Sequence, residues 1–462
     1  MKKKFTLSQY RIYLLMLIFL FSCKKFTTVD NPDNQVDSKI VFTNDATATA
    51  AVLGVYLQMV KFNNYFMNGG LTLYPGLSAD EFYNTASSAT YDPFTTNQIQ
   101  PTSSVVSNDL WRYGYAFIYQ ANACIEGLEG ADNLTPATKN QLLGEVYFMR
   151  AILHFNMTNL FGGIPLSLTT NYRTNEILPR TPVSAVYDQV VKDLITAKSL
   201  LVAAYPSAGQ VRANKWAASA LLARVYLYRS DWANAETEAS SVIASGAYTM
   251  ETNLNNVFLA TSKETILAFI PTATSTNTAE GATFIPASAT VIPDFAVTNT
   301  LLNAFESTDQ RKTAWLKSNT VNSKVYYYPY KYKVKSSTTV TENNVVLKLD
   351  EQYLIRAEAR AQQNKVTGAN SAESDVDVIR NRAGLPNTTS ATQATMLLAI
   401  EKERQTELFA EWGHRWFDLK RTGRINTVLA ANKTGWNANA ALYPIPYSEL
   451  MTNPFLTQNQ GY

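Results

Sequence analysis

The chain of 462 residues is 46% hydrophobic and 17% charged, which predicts a globular protein with a large core. Its length allows one large domain or up to about three small ones. The formal net charge is only +3, so composition gives no electrostatic reason to expect a nucleic-acid partner. Neutral, polar ligands fit this composition better.

The N-terminus has the pattern of an export signal. Lysines at positions 2 to 4 and Arg11 precede an apolar run over residues 12–21, which is too short to span a bilayer. The run ends in Leu20-Phe21-Ser22-Cys23, which resembles a bacterial lipoprotein signal whose cysteine is acylated and becomes the mature N-terminus. We therefore expect residues 1–22 to be removed and Cys23 to carry lipid. The alternative is an ordinary signal peptide or a buried Cys23.

Residues 23–45 are polar and contain Asn31-Pro32-Asp33-Asn34, which predicts a tether between the lipid and a folded body. We expect residues 46–462 to form a single domain. Cys124 is the only cysteine after Cys23, so the mature chain has no pair for an intramolecular disulfide. The apolar helical pattern around Cys124 predicts a packed core thiol.

The first half of the chain alternates helical patterns with an irregular region. Apolar spacing predicts helices over residues 46–60 and 109–128. Between them, residues 61–106 mix Asn, Gly, Ser and Thr with many aromatic residues, which predicts an ordered loop region on the surface. Capping residues, with or without a following proline, predict further helix starts at Thr135-Pro136, Thr181-Pro182, Asn214 and Asp231.

A second irregular region covers residues 246–345, where Thr, Ser, Asn and Pro replace the helical pattern. Runs rich in β-forming residues predict short strands at 265–270 and 325–334. Leu301, Leu302 and Phe305 predict one short helix within this region. The region is therefore interpreted as an insertion into a helical scaffold.

The helical segments carry a repeat pattern. Tetratricopeptide helices place a large apolar residue, a small one and then an aromatic one so that paired helices can approach closely. Leu143-Gly144-x2-Tyr147 fits a first helix, and Leu222-Ala223-x2-Tyr226 with Ala235 and Ala239 fits a complete pair. Residues 353–363 with 376–383, and the segment 401–421, are predicted to be degenerate later members. The expected fold class is mainly α: a tetratricopeptide-like helix-pair scaffold with irregular, loop-rich insertions and a few short strands.

Charged residues in the segment 401–421 alternate with Leu408, Trp412 and Trp416 at helical spacing. The three- and four-residue steps between its acids and arginines are sufficient for ion pairs within one helix. We therefore expect this helix to anchor the fold rather than perform a reaction. Asp309 and Arg311 are likewise expected to form a local ion pair.

The usual catalytic signatures are missing from the sequence. It has two histidines, His154 and His414, and no HExxH, GxxxxGK[ST], GxGxxG, GxSxG or CxxC motif. Asp80-Glu81 and Asp92 leave a glycoside hydrolase as an alternative, but adjacency in sequence does not indicate opposed carboxylates. We expect no enzyme activity, no metal and no cofactor, and we expect His154 to be structural.

Several segments together resemble the SusD/RagB family of outer-membrane lipoproteins, and the resemblance spans essentially the whole mature chain. The most specific segment is GHRWFDL at 413–419. The others are the LFSC signal at 20–23, EVYFMRA at 145–151, LFGGIP at 160–165, ALLARVY at 220–226, YLIRAEA at 353–359, IRNRAGL at 379–385, YPIP at 443–446 and the C-terminal residues 453–462.

The resemblance implies four tetratricopeptide-like helix pairs plus a less regular part. In the family, the repeats brace the protein against a SusC-like TonB-dependent transporter, and loops hold an oligosaccharide or, in some members, a peptide. It implies a lipid-anchored protein of the outer membrane, facing the cell surface. Surface-exposed relatives often have acidic residues after the lipidated cysteine, whereas Lys24-Lys25 stand here. A tetratricopeptide scaffold lipoprotein for outer-membrane assembly is the alternative.

Ligand contacts are predicted from the chemistry of sugars, whose C–H faces pack on aromatic rings while their hydroxyls need polar partners. The family's binding loops vary, so no site residue is transferred from it. Burial in the core is the competing explanation for each aromatic residue. The predicted ligand-binding residues are Tyr74, Asp80, Tyr83, Asn84, Tyr91, Phe94, Asn97, Trp315, Tyr327 and Tyr328, with Tyr326 as a further candidate.

Overall fold

The computed structural model describes residues 41–272 and 277–462. The predicted signal peptide, Cys23 and most of the predicted tether lie outside the described residues. Within them, helices predominate and the strands are few and short, so the predicted fold class is confirmed.

The N-terminal third is helical, and its helix ends follow local hydrogen-bonding signals. Thr135 accepts a hydrogen bond from the Thr138 amide and Pro136 occupies the first turn, so the longest of the described helices begins where the sequence predicts. The elements are α1 (Asp45–Met59), α2 (Gly70–Ser78), β1 (Phe82–Asn84), α3 (Asp92–Thr95), a π-helix (Val105–Arg112), α4 (Tyr113–Glu129), α5 (Pro136–Phe161) and α6 (Tyr172–Asn175).

The middle of the chain carries most of the short strands. Asn214 and Asp231 accept hydrogen bonds from the amides of Ala217 and Asn234, which confirms both predicted caps. The elements are α7 (Val183–Leu200), α8 (Lys215–Tyr228), α9 (Trp232–Ala244), a 3-10 turn (Leu254–Asn256), β2 (Thr265–Phe269), α10 (Ala279–Phe284), β3 (Phe295–Val297), α11 (Asn299–Ala304), α12 (Gln310–Trp315), β4 (Leu316–Val321) and β5 (Lys324–Pro329).

The C-terminal third returns to helices. The elements are β6 (Asn344–Lys348), α13 (Leu349–Gln362), α14 (Ala372–Arg382), α15 (Gln393–Glu407), α16 (His414–Arg421), α17 (Ile425–Asn432), a 3-10 turn (Ala438–Ala441) and α18 (Tyr447–Thr452).

Four helix pairs form the scaffold: α1 packs on α4, α5 on α7, α8 on α9, and α13 on α14. Contacts of α5 with α4, of α8 with α7 and of α13 with α9 join these pairs into one stack. Ala223, Ala235 and Ala239 are fully buried where α8 meets α9, as the repeat pattern predicts. At Gly144, an added Cβ would lie 2.6 Å from Cγ of Leu201, so the close approach of α5 and α7 needs a residue without a side chain.

The strands form three separate antiparallel pairs, β1 with β3, β2 with β6 and β4 with β5. The predicted strand at 265–270 is confirmed as β2. The run at 325–334 contributes only β5, which ends at Pro329. Its partner β4 was not predicted, because Lys317, Ser318 and Asn319 give it a polar sequence.

The expectation of a surface loop over residues 61–106 is wrong for residues 70–78 and holds for the irregular, partly exposed residues 85–91. Every residue of α2 is buried, and α2 packs against α3 and α16. The glycines and aromatic residues that suggested an irregular surface instead allow tight packing: an added Cβ at Gly70 would lie 2.7 Å from the carbonyl oxygen of Tyr65.

The prediction of one continuous helix over residues 401–421 is also wrong. Helix α15 ends at Glu407, and Ala410, Trp412 and Gly413 have φ values of 52°, 48° and 69° before α16 begins. Buried partners hold this turn, because the Trp412 amide donates to Oγ1 of Thr72 over 3.1 Å. The indole of Trp412 also donates to the Val345 carbonyl. We call residues 408–413 the buried turn.

The charged residues of this segment are structural, as predicted, but most of their ion pairs join different elements. Arg311 contacts Asp309, Glu403 and Glu407, so the predicted Asp309–Arg311 pair exists as part of a larger buried network. Within α16 itself, Arg421 pairs with Asp418 over 2.8 Å. The network therefore ties α12, α15 and α16 to their neighbours.

His154 and Cys124 are core residues, as predicted. Nδ1 of His154 lies 3.1 Å from the Arg150 carbonyl oxygen, and burial lowers the pKa of His154 to about 3. Cys124 is buried in the hydrophobic core, and burial raises its pKa to about 12. Both groups are therefore uncharged at neutral pH.

Candidate ligand-binding site

Four of the aromatic residues predicted to contact a ligand are core residues, and the prediction is wrong for them. The Tyr74 ring lies 4.8 Å from the Phe94 ring, and both side chains are buried. Trp315 has no exposed surface and donates its indole N–H to the Leu254 carbonyl over 3.0 Å. Tyr328 is 2% exposed. None of the four presents a free aromatic face to solvent.

Two of the predicted polar contacts are also buried and engaged. Asp80 forms a two-pronged ion pair with Arg415, with distances of 2.8 and 2.9 Å. Asn97 donates its side-chain amide to the Ser78 carbonyl over 3.0 Å. Asp80 therefore anchors α16, and Asn97 closes the end of α2. The prediction of ligand contact is wrong for both residues.

Tyr83, Asn84, Tyr91 and Tyr327 are partly exposed, so their contact with ligand stays a prediction. Tyr83 lies on β1, which pairs with β3, and β3 lies close to β5, which carries Tyr327. Asn84 bonds to the Asp92 carboxylate and accepts a hydrogen bond from the Thr95 hydroxyl. The Tyr91 ring packs edge-on against Phe295 at 4.9 Å.

A group of three partly exposed rings lies where α1 and α2 are joined. The Tyr65 ring is 4.6 Å from the Tyr113 ring and 5.1 Å from the Phe62 ring, and the Phe62 and Tyr113 rings are 6.0 Å apart. Phe62 is 41% exposed, and the three rings together form one aromatic surface that solvent can reach. We call Phe62, Tyr65 and Tyr113 the aromatic cluster.

Buried hydrogen bonds fix the loop that carries Phe62 and Tyr65. The side-chain amide of Asn68 donates to the carbonyl oxygens of Val60 and Phe62 over 3.0 and 3.2 Å. The amide of Phe66 donates to the carbonyl of Asp109 over 3.0 Å, which ties the loop to the π-helix. The aromatic cluster is therefore a rigid surface although two of its rings lie on a loop.

The π-helix places charged groups beside the rings. Arg112 and Tyr113 stand at the junction with α4, where the Arg112 guanidinium lies 5.0 Å from the Tyr113 ring. A π-helical turn shifts the residues that follow it relative to an α-helix, and such turns are frequent at functional sites. Lys61 lies over the Phe62 ring at 5.2 Å.

Asp109 is the acidic group of this surface. Partial burial raises its pKa, while a hydrogen bond from the Tyr74 hydroxyl and the charge of Arg112 act in the opposite direction. Burial and then the Asp109 carboxylate raise the pKa of Tyr65. Asp109 also contributes to the raised pKa of Tyr91, after burial and Asp294.

This arrangement can bind a sugar. The rings offer apolar faces for C–H groups, while Asp109, Arg112 and the Tyr65 hydroxyl offer charged or neutral hydrogen-bonding groups.

In residues 41–272 and 277–462, no three His, Cys, Asp or Glu side chains come together as metal ligands would. In the same residues, no helix has the length and hydropathy needed to cross a bilayer.

Comparison with known proteins agrees with this architecture. Residues 30–227 match a family model described as starch-binding, associating with the outer membrane, and residues 273–462 match the SusD family model. The chain belongs to the SusD/RagB family. Among SusD-like relatives, protein P38 of Formosa agariphila is 26% identical, and the match covers all of both chains.

Solved SusD structures share the fold. A SusD superfamily protein from Parabacteroides distasonis is 25% identical with a TM-score of 0.78, covering 93% of this chain and all of that one. A laminarin-binding SusD-like protein is 24% identical with a TM-score of 0.76, covering 91% of this chain and all of that one.

Sequence reasoning missed the aromatic cluster of this SusD-like chain. Phe62 and Tyr65 lie in a stretch whose many other aromatic residues are buried, and composition does not separate the two groups. Tyr113 lies inside a predicted helix, whereas ligand contacts were predicted only in the two irregular regions. The available signal was the polar context Lys61-Phe62-Asn63-Asn64-Tyr65, in which rings alternate with residues that favour the surface.

Proposed function

We propose that this protein captures oligosaccharides at the aromatic cluster without altering them, and passes them to a SusC-like TonB-dependent transporter. The observation that carries the proposal is a rigid, partly exposed group of three rings beside Asp109 and Arg112. The family description as starch-binding and the laminarin-binding relative of the same fold support a glycan as the ligand.

The site supports binding of modest strength. An open surface removes little water from a hydrated ligand, so affinity rests on a few stacked rings and hydrogen bonds. Because the loop is already fixed by Asn68, little ordering cost opposes binding. Tyr83, Tyr91 and Tyr327 are proposed as further contacts for a longer chain of sugars.

The cellular role follows from the same proposal. Lipid on Cys23 would hold the protein on the outer membrane, facing the cell surface, beside a transporter that moves the captured oligosaccharide inward. We propose that Asp109 and Arg112 only form hydrogen bonds to the hydroxyl groups of the ligand. No residue is therefore assigned a catalytic role. A hydrolase would release new reducing ends from the polysaccharide, and we expect none.

Binding of laminarin, starch and other polysaccharides by the purified protein tests the proposal. Replacing Tyr65 or Tyr113 by Ala should weaken binding about three- to tenfold, since a stacked ring contributes about 1 kcal/mol. Tyr172→Ala serves as the control, because Tyr172 is highly exposed and lies outside the cluster. Isothermal titration calorimetry gives the affinity, and thermal unfolding shows whether the variant is intact.

Two outcomes would contradict the glycan proposal. If Tyr65→Ala and Tyr113→Ala bind polysaccharide as well as the unchanged protein, the cluster is not the site. If the protein binds a peptide digest and no polysaccharide, it is a peptide-binding member of the family. Failure to bind either class would favour the alternative of a scaffold for outer-membrane assembly.

A further inference from the structure

A cleft of about 470 Å³ opens in the helical scaffold, and it shares no residue with the aromatic cluster. It lies where the start of α9, the end of α13, helix α15 and the end of α16 meet. One part of its lining is apolar and the other is rich in arginine. We call it the arginine cleft. Its lining includes Trp232, Glu358, Leu397, Leu398, Glu401, Arg404, Asp418, Arg421 and Arg424.

The apolar part of the arginine cleft includes an exposed leucine. Leu398 is 54% exposed, and Trp232 and Leu397 beside it are partly buried. Exposed large apolar side chains that line a concave surface are typical of protein interaction sites. This part of the cleft can therefore receive an apolar side chain.

The acids that line the cleft are already neutralised. Both oxygens of Glu358 accept hydrogen bonds from Arg421, over 2.5 and 2.7 Å. Asp418 accepts from Nε of Arg404 over 2.7 Å and also from Arg421. Glu401 accepts from Arg424 over 2.8 Å. The carboxylates therefore leave little negative charge for a positively charged ligand.

The arginines retain unused donors. Arg404 is only 3% exposed, and its Nη1 and Nη2 atoms have no hydrogen-bond partner within the described chain. An unsatisfied buried donor costs about 1–3 kcal/mol, and more when it is charged. Arg424 donates through Nε alone and its side chain is 40% exposed. Arg424 therefore offers the cleft free, exposed cationic donors beside an apolar surface.

We propose that the arginine cleft binds a segment of a partner protein in which a carboxylate lies next to a large apolar side chain. The apolar side chain packs on Leu398 and Trp232. The carboxylate accepts hydrogen bonds from the free, exposed Nη groups of Arg424, as guanidinium groups prefer. This binding is independent of ligand capture at the aromatic cluster, because the two sites have no residue in common.

A displayed library of randomised short peptides, selected on the full-length protein in detergent, tests this inference. Enriched peptides should contain Asp or Glu within two positions of Leu, Ile, Met or Phe. The most enriched peptide, synthesised and labelled, should bind Leu398→Asp about tenfold more weakly, since the exposed apolar contact is replaced by a repelling charge. Val202→Asp is the control, because Val202 is also more than half exposed and lies outside the cleft.

Three results would overturn the inference: enrichment of peptides without acidic residues, equal binding by Leu398→Asp, or no enrichment at all. If no peptide is enriched but sodium acetate alone raises the thermal midpoint, the cleft holds a small anion and not a peptide. Tyr65→Ala should bind the peptide normally, and Leu398→Asp should bind polysaccharide normally. Failure of this inference is therefore distinguishable from failure of glycan capture.

Discussion

At the residue scale, two buried carboxyl groups support the buried turn between α15 and α16. Glu81 accepts a hydrogen bond from the Ala410 amide over 3.2 Å. Glu280 accepts a hydrogen bond from the Thr72 hydroxyl, and the oxygen of that hydroxyl accepts one from the Trp412 amide. Burial, and then the charge of Asp80, raise the pKa of Glu81 to about 8. Burial raises that of Glu280 to about 7.

The raised pKa of Glu81 predicts a pH-dependent stability. Because the folded pKa of about 8 exceeds the ordinary value of 4.5, the neutral acid stabilises the fold at low pH, and this contribution is lost as the pH rises toward 8. Glu81→Gln keeps the acceptor oxygen but cannot ionise. Its thermal midpoint should exceed that of the unchanged protein by a larger margin at pH 9 than at pH 5.

The gain at pH 9 corresponds to a few kcal/mol at most, because one pKa unit is worth about 1.4 kcal/mol. Thermal unfolding followed by circular dichroism at the two pH values measures it. A constant difference between variant and unchanged protein at both values would show that Glu81 does not titrate in this range. Glu251→Gln provides a control, because Glu251 is only partly buried.

Some residue roles were predictable from sequence and others were not. The caps at Thr135, Asn214 and Asp231 involve partners three residues away, so local sequence contains the whole interaction. The burial of Trp315 depends on the carbonyl of Leu254, 61 positions away, and nothing near Trp315 in sequence indicates it. Ligand contact and core packing require the same aromatic residues, so composition could not separate Trp315 from Tyr65.

At the element scale, the close approach of α5 and α7 depends on Gly144. We predict that Gly144→Ala lowers the free energy of unfolding by about 1–3 kcal/mol. The steric overlap of the added methyl group destabilises the fold by more than the higher helix propensity of alanine stabilises it. Its Cβ would lie 2.6 Å from Cγ of Leu201 and 3.3 Å from the Ala197 carbonyl oxygen. Chemical denaturation measures the change.

Gly54→Ala is the matched control. Gly54 also lies inside a helix, α1, but an added Cβ there would meet no atom within 4 Å. The substitution should raise the free energy of unfolding by about 0.5–1 kcal/mol through helix propensity alone. Equal effects of the two substitutions would mean that α5 and α7 can accommodate a Cβ at position 144. Gly144 would then not be needed for the close approach of the two helices.

Sequence predicted most of the long helices but not the places where backbone conformation changes. The helix starts and the Gly144 and Ala223 repeat positions follow from side chains that neighbour one another in sequence. The π-helix and the buried turn do not, because their causes are distant: the Thr72 hydroxyl holds Trp412 from a different part of the chain. The apolar spacing across the turn still resembles that of one continuous helix.

At the scale of the whole molecule, the proposal separates a scaffold of four helix pairs from a ligand surface built at its irregular side. The resemblance to the SusD/RagB family implies such a division; the helix pairs are confirmed, and the ligand surface stays a proposal. Composition alone could not have located the ligand surface, since the cluster joins a loop between α1 and α2 to the start of α4. From the sequence, the charged residues at 401–421 predicted ion pairs within one helix, but not the buried ion pairs that join different elements.

Attachment to the membrane is the remaining whole-molecule prediction. Intact mass of membrane-extracted protein should show loss of residues 1–22 and acyl chains on Cys23. Cys23→Ala should release the protein into the soluble fraction, because the substitution removes the residue that carries the acyl chains and these chains provide the attachment. Cys124→Ala should stay with the membrane, since Cys124 is a core thiol. An unmodified Cys23 in membrane-extracted protein would contradict the prediction.

The hydrogen bonds from Asn68 have a consequence for how such proteins diversify. They hold the backbone under Phe62 and Tyr65 without using either ring, so the shape of the loop does not depend on which side chains it displays. Under the proposed glycan capture, we expect that exchanging a ring at these positions changes the sugar preference while the backbone keeps its conformation. On that proposal, single substitutions at positions 62 and 65 could alter the ligand without a change in the fold.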